Sequence, residues 1–122
     1  MIGAMPNYHT EISTESAHRF ALPRMCPVSG NPQPGSVLTV QYTAGAFFLE
    51  IESMGEYIAS YIGGRPIGRD LIRDMEQTIQ QIAIDCAAVV EVPVTVTADL
   101  KIADDPKERT RIRDYRLIVS LP

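Results

Sequence analysis

Cys26 is the residue best placed to do chemistry. It lies in Pro23–Gly35, a stretch holding four prolines (Pro23, Pro27, Pro32, Pro34) and two glycines (Gly30, Gly35). That composition excludes a helix or a central strand and implies a shaped loop. Arg24 stands two residues earlier, and a guanidinium near a thiol favours the thiolate, which is the nucleophilic form. The same position also fits a small apolar side chain that packs the loop onto a sheet, and residue types alone leave both roles open. The other cysteine, Cys86, falls on an apolar helical stripe and reads as core. With no secretory pattern in view, both are expected as thiols rather than as a disulfide.

Other chemistries find little support in the spacing. His9 and His18 are the only histidines, and no Cys-x-x-Cys, His-x-His or His-Glu-x-x-His occurs, so no metal site is expected. The segment Gly63-Gly64-Arg65-Pro66-Ile67-Gly68 lacks the Lys-Ser/Thr of a P-loop. It follows a helical pattern where a dinucleotide motif would follow a strand, so it reads as a helix–helix connector. Two histidines near one end of the chain do not assemble a Ser-His-Asp triad.

Several elements must position the loop. Residues 1–8, with Gly3 and Pro6, read as a loose lead-in. Partial alternation from His9 to Phe20 suits an edge strand, and Ser36–Tyr42 alternates with β-branched residues as a second strand. After a turn at Thr43–Gly45, apolar residues recur at helical spacing over Leu49–Ile62, where Gly63-Gly64 stops the helix. Ile67, Leu71, Met75, Ile79, Ile82 and Cys86 form the stripe of a second helix. Val89–Leu100 alternates as a third strand, with Pro93 confined to an edge or bulge. A turn at Asp104–Lys107 then leads to a final strand, Arg111–Leu121. Strands grouped around a helix pair predict an α+β fold: one four-stranded antiparallel sheet with two helices on one face. Such a sheet has two open edges, and pairing them between subunits into a barrel predicts a homo-oligomer.

The 122 residues suffice for a single domain spanning 1–122. A formal net charge of −4 argues against direct nucleic-acid or anionic-membrane partners. No apolar run approaches the roughly 20 residues a bilayer span needs. Met1–Thr10 has no basic segment followed by an apolar one, so the default expectation is a cytoplasmic location.

The run Cys26-Pro27-Val28-Ser29-Gly30-Asn31-Pro32, followed by a strand ending Val40-Gln41-Tyr42, resembles the active-site segment of the 7-cyano-7-deazaguanine reductases of queuosine biosynthesis. That family reads Cys-Pro-x-Thr/Ser-Gly-x-Pro-Asp. The resemblance extends from about Leu22 to Glu91 and implies the tunnelling fold, whose ββααββ subunits close into barrels with active sites between subunits. It implies that Cys26 attacks the nitrile carbon of a small planar purine-like substrate to form a thioimide, which NADPH reduces in family members. The family's cofactor motif, Glu-Ser-Lys-Ser-Leu-Lys, aligns with Glu50-Ile51-Glu52-Ser53-Met54-Gly55. Glu50 and Ser53 match, while Glu52 and Gly55 replace the lysines. Loss of the lysines fits the non-reducing amidinotransferase branch, in which ammonia attacks the thioimide. The family's aspartate acid falls at Gln33 or Pro34, and its His-Glu pair at Gly68-Arg69. Glu91 and Glu76 are then the carboxylates left to anchor the base, and Glu50, Ser53 and Glu91 are the candidate substrate-binding residues. Two other readings of the same fold are a binding protein for a purine- or pterin-like ligand without turnover, and a purely structural oligomer.

Overall fold

The computed structural model describes residues 1–26, 29–61, 75–104 and 111–122. In chain order these residues form β1 (Ala4–Pro6), β2 (Glu15–Ala21), β3 (Val37–Thr43), β4 (Phe47–Leu49), α1 (Ile51–Ala59), α2 (Met75–Val90), β5 (Val94–Ala103) and β6 (Ile112–Leu121). The expected helix stop at Gly63-Gly64, the Ile67–Leu71 part of the second helix, Gly68-Arg69 and residues 105–107 of the expected turn lie outside the described residues.

Alternation along the strands sets the layers. The order β2-β3-β5-β6 makes an antiparallel sheet, and its register places Leu38 opposite Ala98, Val40 opposite Val96 and Tyr42 opposite Val94. All six are buried. Met54, Tyr57 and Ile58 of α1 and Ile79, Ile82, Ala83, Cys86 and Val90 of α2 join them in one core, so both helices cover the same face. Each large apolar side chain buried there contributes about 1.5–3 kcal/mol. The opposite face carries Thr39 against Thr97 and Gln41 against Thr95, and stays open.

The α+β class and the four long strands agree with the sequence pattern, but the sheet arrangement is not the expected one alone. A second, two-stranded ribbon pairs β1 with β4, Ala4 opposite Leu49 and Met5 opposite Phe48. The supposed loose lead-in is therefore tied down: Gly3 N–H donates to Ser53 Oγ (2.7 Å) and Glu50 N–H to Gly3 O (3.0 Å). Its partner is more than forty residues away, and short-range pattern carries no trace of such pairing.

Boundaries shift for local reasons. The strand expected from His9 starts only at Glu15, as β2, because His9–Ile12 closes a turn, Ile12 N–H donating to His9 O (3.0 Å). Val89 and Val90, expected in a strand, finish α2 instead. Val90 is fully buried on its stripe, so packing outweighs the β preference of valine. Pro93 lies just ahead of β5 rather than within it. At Gly45 a Cβ would stand 2.8 Å from Val92 Cγ1, so this turn requires glycine for its close approach.

Candidate functional site

The loop from Ala21 to Val37 folds around two anchors. Leu22 and Met25 are buried, which fastens its first half to the core. Met25 N–H and Cys26 N–H both donate to Asn31 O (3.0 and 2.9 Å), and Gly30 N–H donates back to Cys26 O (2.8 Å). Gly30 has φ 69°, a left-handed conformation that glycine adopts without a Cβ penalty. Ser29 N–H is aimed at Cys26 Sγ (3.4 Å), the kind of donor that a thiolate accepts.

Asn31, Gln33 and Ser36 form the second anchor, and all three are buried. Asn31 Nδ2 donates to Ala103 O (3.2 Å), and Asn31 Oδ1 accepts from Ala103 N–H (3.0 Å) and from Gln33 Nε2 (2.9 Å). Gln33 N–H donates to Lys101 O (2.7 Å). Ser36 Oγ donates to Gln33 O (2.8 Å) and accepts from Lys101 N–H (2.8 Å). β3 begins only at Val37, opposite Asp99, and the amide and hydroxyl groups that precede it serve the edge of β5 lying beyond that pair. Among the described residues no buried side-chain nitrogen or oxygen lacks a partner.

The two cysteines differ in kind. Cys26 is partly exposed and Cys86 is buried. Leu22 and Met25, not Cys26, are the loop residues that fill the core. Cys86 Sγ lies 3.9 Å from Met54 Sδ, and burial, with the nearby Asp85 charge second, pushes its thiol up to about 12. Its reading as an inert core residue agrees with that environment. Arg24 is exposed beside the loop.

The other sequence candidates lie elsewhere. Glu50 precedes α1, its carbonyl accepting Met54 N–H (3.1 Å), and Ser53 Oγ donates to Glu50 O (3.3 Å) while accepting Gly3 N–H. Both sit where the β1 segment crosses the start of α1. The end of α1 that approaches the Cys26 side is the other one: Gly55, Ile58 and Ala59 line a groove of about 400 Å³ with Phe20, Leu22 and Pro23. Glu91 is exposed just past α2, before β5 begins, whereas the Cys26 loop is pinned at the last residues of β5. Ten strand residues, roughly 30 Å, separate those ends. Within one chain the thiol and Glu91 are therefore not brought together. Gln33, aligned with the family's acid, spends its side chain on Asn31 and Gly30. The Tyr115 hydroxyl is raised above its ordinary value by burial and then by the Glu76 carboxylate.

The first turn of α1 carries Glu52 and no basic residue, and the space beside Gly55 is open. These residues do not fit the phosphates of NADPH, which call for cationic or convergent donors. Among the described residues no three His, Cys, Asp or Glu converge on a metal position, and no helix is long and apolar enough to cross a membrane.

Glu91 has φ 57°, at the position after a helix where glycine is favoured. Glu91→Gly should raise stability by about 1 kcal/mol, read as a higher urea midpoint at unchanged slope. Sequence reasoning missed Asn31 and Ser36 as the clamp of the loop, because their partners lie some seventy residues away. No family model matches the sequence, and no curated protein matches it.

Proposed function

We propose that the chain uses Cys26 as a nucleophile toward the nitrile of a 7-cyano-7-deazaguanine-type base, in a tunnelling-fold homo-oligomer. The observation that carries this reading is the difference between the two thiols. The one inside the Cys-Pro-x-Ser-Gly-x-Pro loop is accessible and faced by an amide donor, while the one outside it is packed away. In the proposed step Cys26 Sγ attacks the nitrile carbon and a C–S bond forms. One C–N π pair moves to nitrogen, which takes up the proton lost by the thiol, and a thioimide results. No reducing step is drawn, since α1 does not fit the dinucleotide; in the second step this reading favours, ammonia adds to the thioimide carbon, the C–S bond breaks, an amidine leaves and a proton from the ammonia returns to Cys26 Sγ.

Interface sites follow from the same reading. Antiparallel pairing of like edges, β6 with β6 or β2 with β2, turns one copy end for end, so the Glu91 end of one copy lies toward the Cys26 end of its neighbour. Glu91 is then the carboxylate proposed to hold the two N–H groups of the base, with Glu50 and Ser53 as further substrate contacts. The cytoplasm is the proposed compartment, as suits a reactive thiol.

Intact-mass spectrometry of the protein incubated with 7-cyano-7-deazaguanine tests the first step. The expected result is an adduct of the nitrile's mass that is absent in Cys26→Ala, with NADPH absorbance unchanged. Absence of any adduct would sink the covalent reading, and the chain would then be treated as a binder of another planar ligand or as a structural oligomer.

A further inference from the structure

β6 is a ten-residue edge strand. It has no proline, and exposed edges of that length are normally blunted. Three of the large exposed hydrophobic residues of the chain lie on it: Ile112 (47 % exposed), Tyr115 (37 %) and Ile118 (62 %). From the order of its side chains we infer that this edge pairs with the same edge of a second copy, antiparallel about a two-fold axis at Tyr115.

The register follows from charge and from face. Antiparallel pairing of a strand with its own copy keeps core side facing core side only when the two opposed residue numbers sum to an even value. With Tyr115 opposite itself, Asp114 faces Arg116 and Ile112 faces Ile118, each pairing occurring twice. A shift toward one side sets Arg116 against Arg116, and toward the other Asp114 against Asp114. Like charges directly opposite each other are destabilising, whereas opposite charges and β-branched pairs are favourable.

The neighbouring strand extends the pattern. Within one chain Asp114 already bonds Lys101, and Arg116 Nε bonds Asp99 Oδ1 (2.6 Å). The pairing would join these into an alternating row across the open face of both sheets: Lys101, Asp114, the second copy's Arg116 and then its Asp99. A second row related by the two-fold runs the other way. The other outer edge, β2, allows one such match, Glu15 against Arg19 about Ala17, but on a shorter strand, and the β3 partners of these two residues, Thr43 and Thr39, carry no charge that would extend it into a row. This inference adds one two-fold contact to the homo-oligomer of the proposed function and leaves the β2 edge unassigned; it stands on β6 alone and does not need the Cys26 chemistry.

Charge reversal separates the possibilities, with sedimentation velocity as the measurement and circular dichroism as the control for folding. The wild type should sediment as a dimer, or as an assembly containing one. Asp114→Arg and Arg116→Glu should each weaken association about tenfold or more, since each sets two like-charged pairs across the axis. An equimolar mixture of the two variants should reassociate, because every cross-axis pair is again opposite in sign. Tyr115→Cys should form a symmetric disulfide on mild oxidation, located by peptide mapping, and Ile118→Cys should not link to itself. A monomeric wild type, a mixture that stays dissociated, or links from β6 to β2 in place of Tyr115→Cys to itself would each overturn the inference. None of these readouts depends on nitrile addition, so failure here and failure of the proposed chemistry are told apart.

Discussion

Asn31→Ala is expected to cost roughly 3 kcal/mol of stability. The side chain makes three hydrogen bonds in a buried position, two of them to the main chain of Ala103 and one to Gln33. Truncation leaves the Ala103 N–H and C=O and the Gln33 amide to find water in a space the loop now fills. A stranded buried polar group costs about 1–3 kcal/mol, and partial relaxation keeps the total near the stated value rather than at the sum. Thermal unfolding should fall by about 10 °C for a chain of this length. Asn31→Asp keeps the acceptor oxygen and loses the donor to Ala103 O, so it separates the two halves of the clamp. The variant also tests the loop's role in function. The main-chain carbonyl of Asn31 accepts both Met25 N–H and Cys26 N–H, and a residue freed at its side chain no longer holds that carbonyl in place. Alkylation of Cys26 should therefore change in rate while that of Cys86 tracks global unfolding. If stability falls by less than 1 kcal/mol, Ala103 does not depend on the Asn31 amide.

The sequence made the interior of the sheet legible and its margins less so. Leu38, Val40 and Tyr42 and the even-numbered residues from Val94 to Leu100 alternate because one face is packed and the other is open, and period two cannot arise by accident over such runs. α1 and α2 were legible for the same reason at period 3.6. The β1–β4 ribbon was not, since a three-residue strand gives too little periodicity and Gly3 and Pro6 read locally as breakers. The end of α2 was misplaced because Val89 and Val90 have β propensity, while their burial against the sheet is a tertiary fact. At the candidate site, proline spacing announced a fixed loop and the motif singled out Cys26. What fixes the loop, Asn31 and Ser36 against β5, needed the third dimension. The separation of Cys26 from Glu91 is likewise a consequence of strand direction, which only the register discloses.

Tyr57→Phe should remove about 2 kcal/mol and change how the protein responds to alkali. Tyr57 is on α1, and its hydroxyl donates to Asp85 Oδ2 of α2 while lying 2.7 Å from Tyr61 Oη. Gln81 Nε2 holds the other oxygen of Asp85 (2.9 Å). The two rings meet edge to face at 5.3 Å, so phenylalanine keeps the packing and loses only the polar bridge between the helices. Losing a neutral donor to a carboxylate costs about 1.5–3 kcal/mol. Burial pushes the Tyr57 hydroxyl far above its ordinary value, with the bonds to Asp85 and Tyr61 adding to the shift, and burial raises Cys86 to about 12. Both groups thus keep their protons in the folded chain at pH values where the unfolded chain has released them, near 9 for the thiol and 10 for the phenol. The unfolded state then binds fewer protons, and stability must fall as pH rises. The contribution of these two groups is intact below about pH 8, and it is lost first through Cys86 between about 9 and 12, with Tyr57 adding to the slope above 10. Urea midpoints measured from pH 7 to 11 should be flat at first and then decline. Tyr57→Phe should start lower and decline less steeply above pH 10, because the group that carried the upper part of the slope is gone. Parallel curves for wild type and variant would show that Tyr57 titrates alike in both states, and the buried bridge from α1 to α2 would then not hold its proton as described.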